Sequence, residues 1–252
     1  MLRRTKRRIA YGAAALIACA LIAGMGCLWW FGSRSMPDAR DTPAIDVDLG
    51  MGDILELPDI DWEYWRSVNP DIVGWIHIPG TNVSSPIAHA PKSDPGRYLK
   101  HDIYGEWNPM GAIYLDADSE GLLEGGNSVI LGHNWASVVF GTMANYSDRD
   151  WAAEHRAVAI MTPDDEVHLL RVEASDVMPG WTKAKRTTFE GRSDLDAYWQ
   201  ERFGESEMKL ADEATPTDQL FTFVTCSYTK WKANERTVTY AVEVMELPIG
   251  SK

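Results

Sequence analysis

FTFVTCSYTKWKANERTVTYAVEV, residues 221–244, reads as strand, loop, strand. Residues 220–226 are rich in aromatic, β-branched and threonine side chains, the composition of a half-buried strand. Residues 236–244 alternate, with Val238, Tyr240, Val242 and Val244 two apart, the period of a strand with one apolar face. Cys226 closes the first strand and Arg236 opens the second, so a thiol and a guanidinium are expected side by side on the rim of one sheet. Far upstream, SVILGHN ends another strand-like run at His133. A thiol, an imidazole and a guanidinium, each at a strand end, suit cysteine acyl transfer.

The cysteine count sharpens that expectation. Of three cysteines, Cys19 and Cys27 lie in an apolar N-terminal run, and Cys226 stands alone outside it. An odd cysteine in an extracytoplasmic protein points to intermolecular pairing or a reactive thiol. A buried, inert cysteine is the competing reading, since free cysteine is among the most buried residue types.

MLRRTKRR is followed by 23 residues without a charge, residues 9–31. Roughly 20 apolar residues at helical rise cross a bilayer core. Trp29 and Trp30 fall where an interfacial aromatic pair would, and Arg3, Arg4, Lys6, Arg7 and Arg8 hold the N-terminus on the cytoplasmic side. Residues 1–31 are therefore expected to be a basic segment and single-pass signal anchor, with the rest of the chain outside the cell. LIAC, ending at Cys19, resembles a lipid-attachment box, and a cleaved secretory signal is a further rival. The apolar run continues a dozen residues past Cys19, which a processed signal would not need.

The remainder is acidic. The chain has 24 basic residues, five of them in residues 1–31, so 19 face 37 acidic residues in the body. That balance argues against nucleic acid as a partner, because binding it requires cationic groups to displace counterions. Clustered Cys/His spacing for a metal is absent from the sequence, and no cofactor is expected.

Residues 32–58 read as an extracytoplasmic linker, with Pro37, Pro43 and Pro58 and no sustained period. Residues 59–247 form the expected domain, with residues 248–252 as a tail. Asp61 is a candidate N-cap for a short helix over residues 61–68. Strands are expected at 75–78, 86–90, 112–115 and 128–131, followed by helix and turn over 140–155. Residues 157–162 and 167–177 should pair as a hairpin about Pro163, Asp164 and Asp165. SDLDAYWQERF, residues 193–203, is a helix expected to be capped by Ser193, with Leu195, Tyr198, Trp199 and Phe203 on one face. His77 and His89 read as strand-face residues rather than ligands. His101 and Asp102 are adjacent on an extended segment, where neighbouring side chains point apart, so a structural role is expected of them. Together these elements make about eight short strands with inserted helices, a mainly β barrel or sandwich.

Four stretches in order resemble class B sortases, membrane-anchored cysteine transpeptidases of Gram-positive bacteria. NPDIVGWIHIPGTNVSSPI is similar to the family's first strands, and YLKHDIYGEWNPMGAIYLD to its HD-containing segment. NSVILGHN is similar to its catalytic-histidine strand, and FVTCSYTKWKANERTVTYAV to its Cys strand, loop and Arg strand. The match covers roughly residues 60–246, and the helix inserted before the Cys strand also resembles class B. Leu131 departs from the pattern, since many class B members carry Tyr there.

The resemblance implies an eight-stranded barrel with an N-terminal helix, and a groove at the ends of its fourth, seventh and eighth strands. It implies catalytic roles for Cys226, His133 and Arg236. Asn134, Ser227 and Tyr228 adjoin them and are candidates to line the substrate groove. The implied partners are secreted proteins with a C-terminal sorting signal, and an amine acceptor on cell-wall precursor or pilin. An extracytoplasmic cysteine hydrolase and a non-catalytic surface-binding domain are the alternatives.

Overall fold

The computed structural model describes residues 40–45, 55–135, 138–180, 185–227 and 234–248. The expected anchor, Tyr228 and all of the expected C-terminal tail but Pro248 lie outside them. No helix among the described residues is long and apolar enough to cross a membrane.

The barrel strands in chain order are β3 (Ile72–His77), β4 (Ser84–His89), β5 (Tyr114–Leu115), β6 (Asn127–Leu131), β9 (Ala157–Met161), β10 (Glu166–Pro179), β12 (Leu220–Ser227) and β13 (Glu235–Pro248). They follow one another around the sheet as β10, β13, β12, β6, β5, β4, β3 and β9, and β9 pairs with β10 to close the ring. The pairs β12–β6 and β4–β5 are parallel, the others antiparallel. β11 (Met208–Lys209) extends β10 outside the closed ring. This is the eight-stranded, mainly β barrel expected. β10 and β13 are each 14 residues long, and two register shifts along their pairing let them bend around the ring.

Side-chain alternation divides the core. Phe221 and Phe223 of β12, Ile130 of β6 and Ala241 of β13 point into the barrel with Ile76, Ile87, Leu115 and Leu170. Leu220 and Val224, with Val129, Val238, Tyr240 and Val242, point outward. That outer face is covered by a helix, Arg192–Glu205, whose Leu195, Tyr198, Trp199 and Phe203 are buried against it. Covering such side chains contributes roughly 1.5–3 kcal/mol each. A sheet buried on both faces explains why seven of the eight residues of β12 are buried, leaving Cys226 only half-buried at its end.

The other helices are α1 (Trp62–Val68), which packs Trp65 against Trp75, and α2 (Arg149–Glu154). The inserted Arg192–Glu205 helix is α3. Asp61 caps α1 as expected, accepting from the Tyr64 N–H at 2.9 Å. The expected cap of α3 is not observed. The helix starts at Arg192 and its N-cap is Gly191, at φ 136°, so Ser193 is already inside the first turn. Asp194 serves the helix entry instead, accepting from the Glu190 N–H and pairing with Arg186. Part of the expected linker also carries structure: β1 (Arg40–Ile45) pairs antiparallel with β2 (Leu55–Asp59). The 112–115 strand contracts to Tyr114–Leu115, because the Ala112 N–H bonds the Tyr98 carbonyl rather than a sheet neighbour. A short ribbon, β7 (Asn134–Trp135) with β8 (Val138–Val139), follows β6.

Candidate active site

Alternation along β12 puts Cys226 on the same outward face as Leu220 and Val224, one step beyond the cover of α3. Arg236 is its register partner on β13 and shares that face with Val238 and Tyr240. Directly paired residues place their Cβ atoms about 4.5–5.5 Å apart, so the thiol and guanidinium are neighbours by register alone.

His133 arrives from β6. The last paired residue of β6 is Leu131, opposite Val224. Beyond it the chain stays beside β12, with the Gly132 N–H bonding the Val224 carbonyl and the Thr225 hydroxyl bonding the Gly132 carbonyl at 2.9 Å. Gly132 is required by close approach, since a Cβ there would lie 2.4 Å from Phe140 Cβ. His133 is thereby delivered next to Cys226, and the two side chains hydrogen-bond. β6, β12 and β13 are the fourth, seventh and eighth barrel strands in chain order, where the groove is expected.

His133 Nε2 lies 2.9 Å from the Leu99 carbonyl oxygen. A carbonyl can only accept, so Nε2 carries the proton, and Nδ1 is the nitrogen left for the sulfur. The hydrogen bond from His133 holds the Cys226 thiol below its ordinary range, against the opposing effect of burial, and the Arg236 and His133 charges add to the lowering. The same bond raises His133, with the Leu99 carbonyl assisting and burial and Arg236 opposing. Thiol down and imidazole up both favour the thiolate–imidazolium pair.

Arg236 donates from one terminal nitrogen, Nη1, to Asn234 Oδ1 at 2.9 Å and to the Glu235 carbonyl at 2.8 Å. These bonds fix the guanidinium at the rim. A cavity of about 380 Å³ opens in front of the three groups. Its walls include Leu99, Tyr114, Leu131, Met178, Val224 and Val238, with Lys185 at one edge. Lys185 is held by Asp116 at 2.7 Å. Burial keeps the Tyr114 phenol far above its usual range, so it faces the cavity as a neutral group.

The other expected groove residues are placed differently. The Asn134 amide donates to the Cys226 carbonyl at 2.7 Å, tying β7 to the end of β12. Ser227 is buried and alternates to the opposite face of β12 from Cys226. Neither is among the cavity-lining residues, and Tyr228 lies outside the described residues. Asp102 is buried and accepts backbone N–H bonds from Tyr104 and Glu106, while His101 Nδ1 bonds the Arg97 carbonyl. His89 Nε2 bonds the Ser119 carbonyl. The Leu99 carbonyl, Tyr114, Met178 and Lys185 were not singled out from the sequence. A backbone acceptor leaves no mark on residue type, Tyr114 and Met178 reach the cavity only through the sheet's register, and Lys185 is held there by its ion pair with Asp116.

Comparison with known proteins agrees with this architecture. The family model of the sortase domain matches residues 76–244, well over half of the chain. Sortase B of Staphylococcus aureus is 24% identical over 183 residues, 71% of this chain and 73% of the relative. Sortase B of Listeria monocytogenes is 24% identical over 168 residues, 66% of each chain. The X-ray structure of Clostridium perfringens sortase B superposes with a TM-score of 0.65 at 22% identity, covering 73% of this chain and 99% of that one. Sortase B of Bacillus anthracis superposes at 0.63 with 25% identity, covering 73% and 83%. The chain belongs to the sortase family, with class B sortases as its relatives in both sequence and fold.

Proposed function

We propose that the protein is a membrane-anchored cysteine transpeptidase. It cleaves a C-terminal sorting signal of a secreted protein through a thioester on Cys226, and passes that protein to an amine on cell-wall precursor or pilin. The observation that carries this reading is the convergence of Cys226, His133 and Arg236 on one cavity, with Cys226 and Arg236 paired in register.

The chemistry follows from the geometry. The Cys226 thiolate attacks the carbonyl carbon of the scissile peptide, and the carbonyl oxygen becomes an oxyanion. Arg236, always charged, donates hydrogen bonds to that oxygen from the nitrogens not engaged with Asn234 and Glu235. The C–N bond breaks as His133 Nδ1–H gives its proton to the departing amine. An acceptor amine then attacks the thioester and loses a proton to His133 Nδ1. Sulfur leaves as thiolate, restoring the starting pair. Two relatives support the substrate side of this scheme: one structure is described as a Staphylococcus aureus sortase B–substrate complex, another as sortase B complexed with triglycine. The charge-free run at residues 9–31 supports anchoring, which would hold enzyme, substrate and acceptor at one surface.

The test is incubation with a library of sorting-signal peptides, with and without an amine acceptor, trapping the acyl-enzyme by mass spectrometry. A thioester on Cys226 and an amine-dependent ligated product are expected. Release that is indifferent to amine, with no ligated product, would mean hydrolysis. A Cys226 that resists a methanethiosulfonate reagent in the folded protein would leave only a non-catalytic binding domain.

A further inference from the structure

Among the described residues, no side chain is seen in the place that usually orients a catalytic imidazole. In Ser–His–Asp and Cys–His–Asn sites a side chain holds the second ring nitrogen and fixes the tautomer. Among the described residues, the groups acting on His133 are the Cys226 thiol, the Leu99 carbonyl and the Arg236 guanidinium. A main-chain oxygen has taken the orienting place.

That oxygen is held from both sides. The loop over residues 97–112 turns back on itself, and its return arm bonds the carbonyls flanking Leu99. The Asn108 N–H donates to Lys100 O at 2.8 Å, and the Ala112 N–H to Tyr98 O at 2.9 Å. Between these two anchored carbonyls, the carbonyl of residue 99 accepts from His133 Nε2. The return arm is itself braced by two buried polar side chains. Asp102 Oδ1 accepts from Tyr104 and Glu106 N–H, both at 3.1 Å, and its Oδ2 lies 3.5 Å from Asn108 Nδ2. Asn108 Oδ1 accepts from Met110 N–H at 3.0 Å. Asp102 is 3% exposed and Asn108 is fully buried, so neither contacts substrate. Gly111, at φ 61°, lets the arms close: a Cβ there would lie 2.2 Å from Tyr98 O and 3.3 Å from His133 Cδ2.

We infer that Asp102 and Asn108 are positioning residues for the transfer reaction, bracing the loop so that the Leu99 carbonyl fixes His133 with Nδ1 toward Cys226. This rests on the transpeptidase reading for its kinetic consequence, but the tautomer can be read without substrate. Cys226 from β12 and Arg236 from β13 face the ring, with Tyr114 of β5 and the Asp116-bound Lys185 on the same cavity.

The full-length protein is labelled with ¹⁵N-histidine, and the His133 signals are assigned by comparison with H133Q. Neutral His133 should show the Nε2–H tautomer, and the Nδ1–H tautomer in the unaltered protein would overturn the inference with no variant needed. In D102N the amide NH₂ faces that of Asn108 and the brace is lost. We expect kcat/KM to fall about ten- to a hundredfold, as displacing a reacting group by an ångström does. The His133 tautomer signal should broaden and the pH–rate profile should shift. The exchanged pair D102N/N108D restores one donor facing one acceptor, and should restore the tautomer, the profile and most of the rate. A D102N protein with lower Tm but unaltered His133 signals and pH profile would mean the brace is structural only. Were the tautomer and its rescue observed but no peptide acylated Cys226, the positioning would stand and the transpeptidase reading would fall.

Discussion

Replacing Arg236 separates two things the guanidinium does. It places a positive charge beside the Cys226–His133 pair, lowering both groups. In the proposed reaction it also offers N–H donors to the oxyanion. Unit charges about 6 Å apart, a distance taken from the paired register, attract by about 0.7 kcal/mol in water and about 2.8 kcal/mol at an effective dielectric of 20. Arg236 lies at a partly solvated rim, so the lower part of that range applies. Loss of one well-placed oxyanion donor costs about 3–4 kcal/mol. The donor effect is therefore the larger, and Arg236→Ala should lower kcat about 10²–10³-fold with a smaller change in KM. Removing a group that lowers both titrations should also move both limbs of the pH–rate profile to higher pH. Arg236→Lys keeps the charge but loses the fork, so the limbs should stay in place while most of the kcat loss remains. The assay is steady-state transfer of a fluorogenic sorting peptide to an amine, from about pH 5 to 10. Full activity in the Lys variant would show that only charge matters. A rise in KM with kcat unchanged in the Ala variant would assign Arg236 to peptide binding instead.

Cys226→Ala should abolish turnover. Alkylation of Cys226 by iodoacetamide should slow in His133→Ala, because the hydrogen bond that lowers the thiol is lost; equal rates would deny their coupling. Gly132→Ala would place a Cβ against Phe140, costing about 1–3 kcal/mol by overpacking. Because the same residue delivers His133, activity at 25 °C should fall more than the folded fraction does, and a parallel fall would point to stability alone. His168 is buried, which by itself lowers its pKa, yet its 2.7 Å contact to Glu243 and the charges of Glu243, Glu246 and Glu166 raise it overall. A raised folded pKa contributes stability fully below the unfolded value of about 6.5, and that stability fades as pH rises through the folded value. Tm should therefore decline over that upper window in the unaltered protein and much less in His168→Gln, and a Tm that rises there would contradict the sign.

The strands that carry the candidate site were legible in the sequence because their signals are local. Alternation at Val238, Tyr240 and Val242 marks the outward face of β13, and the run from Leu220 marks β12. Their hairpin register places Cys226 opposite Arg236. The α3 face was legible for the same reason, from Leu195, Tyr198, Trp199 and Phe203 at helical spacing. Its cap was not, because Asp194 can reach back to Glu190 N–H only once the preceding turn has its shape. Ser227 adjoins the nucleophile in sequence but faces the other way, since proximity along a strand reverses with each residue. A structural role was expected of His101 and Asp102, and their segment bears on the site through a carbonyl two residues before His101.

Strand alternation also explains why the site opens outside the barrel rather than within it. The inward face of β12 is filled by Phe221 and Phe223, and Phe140 packs edge-on to Phe223. A thiol on that parity would have no room for a peptide. The outward parity is covered by α3 as far as Val224 and is left open at Cys226. Moving the cysteine by one residue in either direction would bury it, as Thr225 and Ser227 are buried. Moving it back by two would place it at Val224, packed in the α3-covered cluster and paired with Val238 rather than Arg236. Position 226 is therefore where an open outward face, the Arg236 register and the end of β6 coincide. Exchanging Thr225 and Cys226 should yield a folded protein whose thiol is slow to alkylate and inactive in transfer.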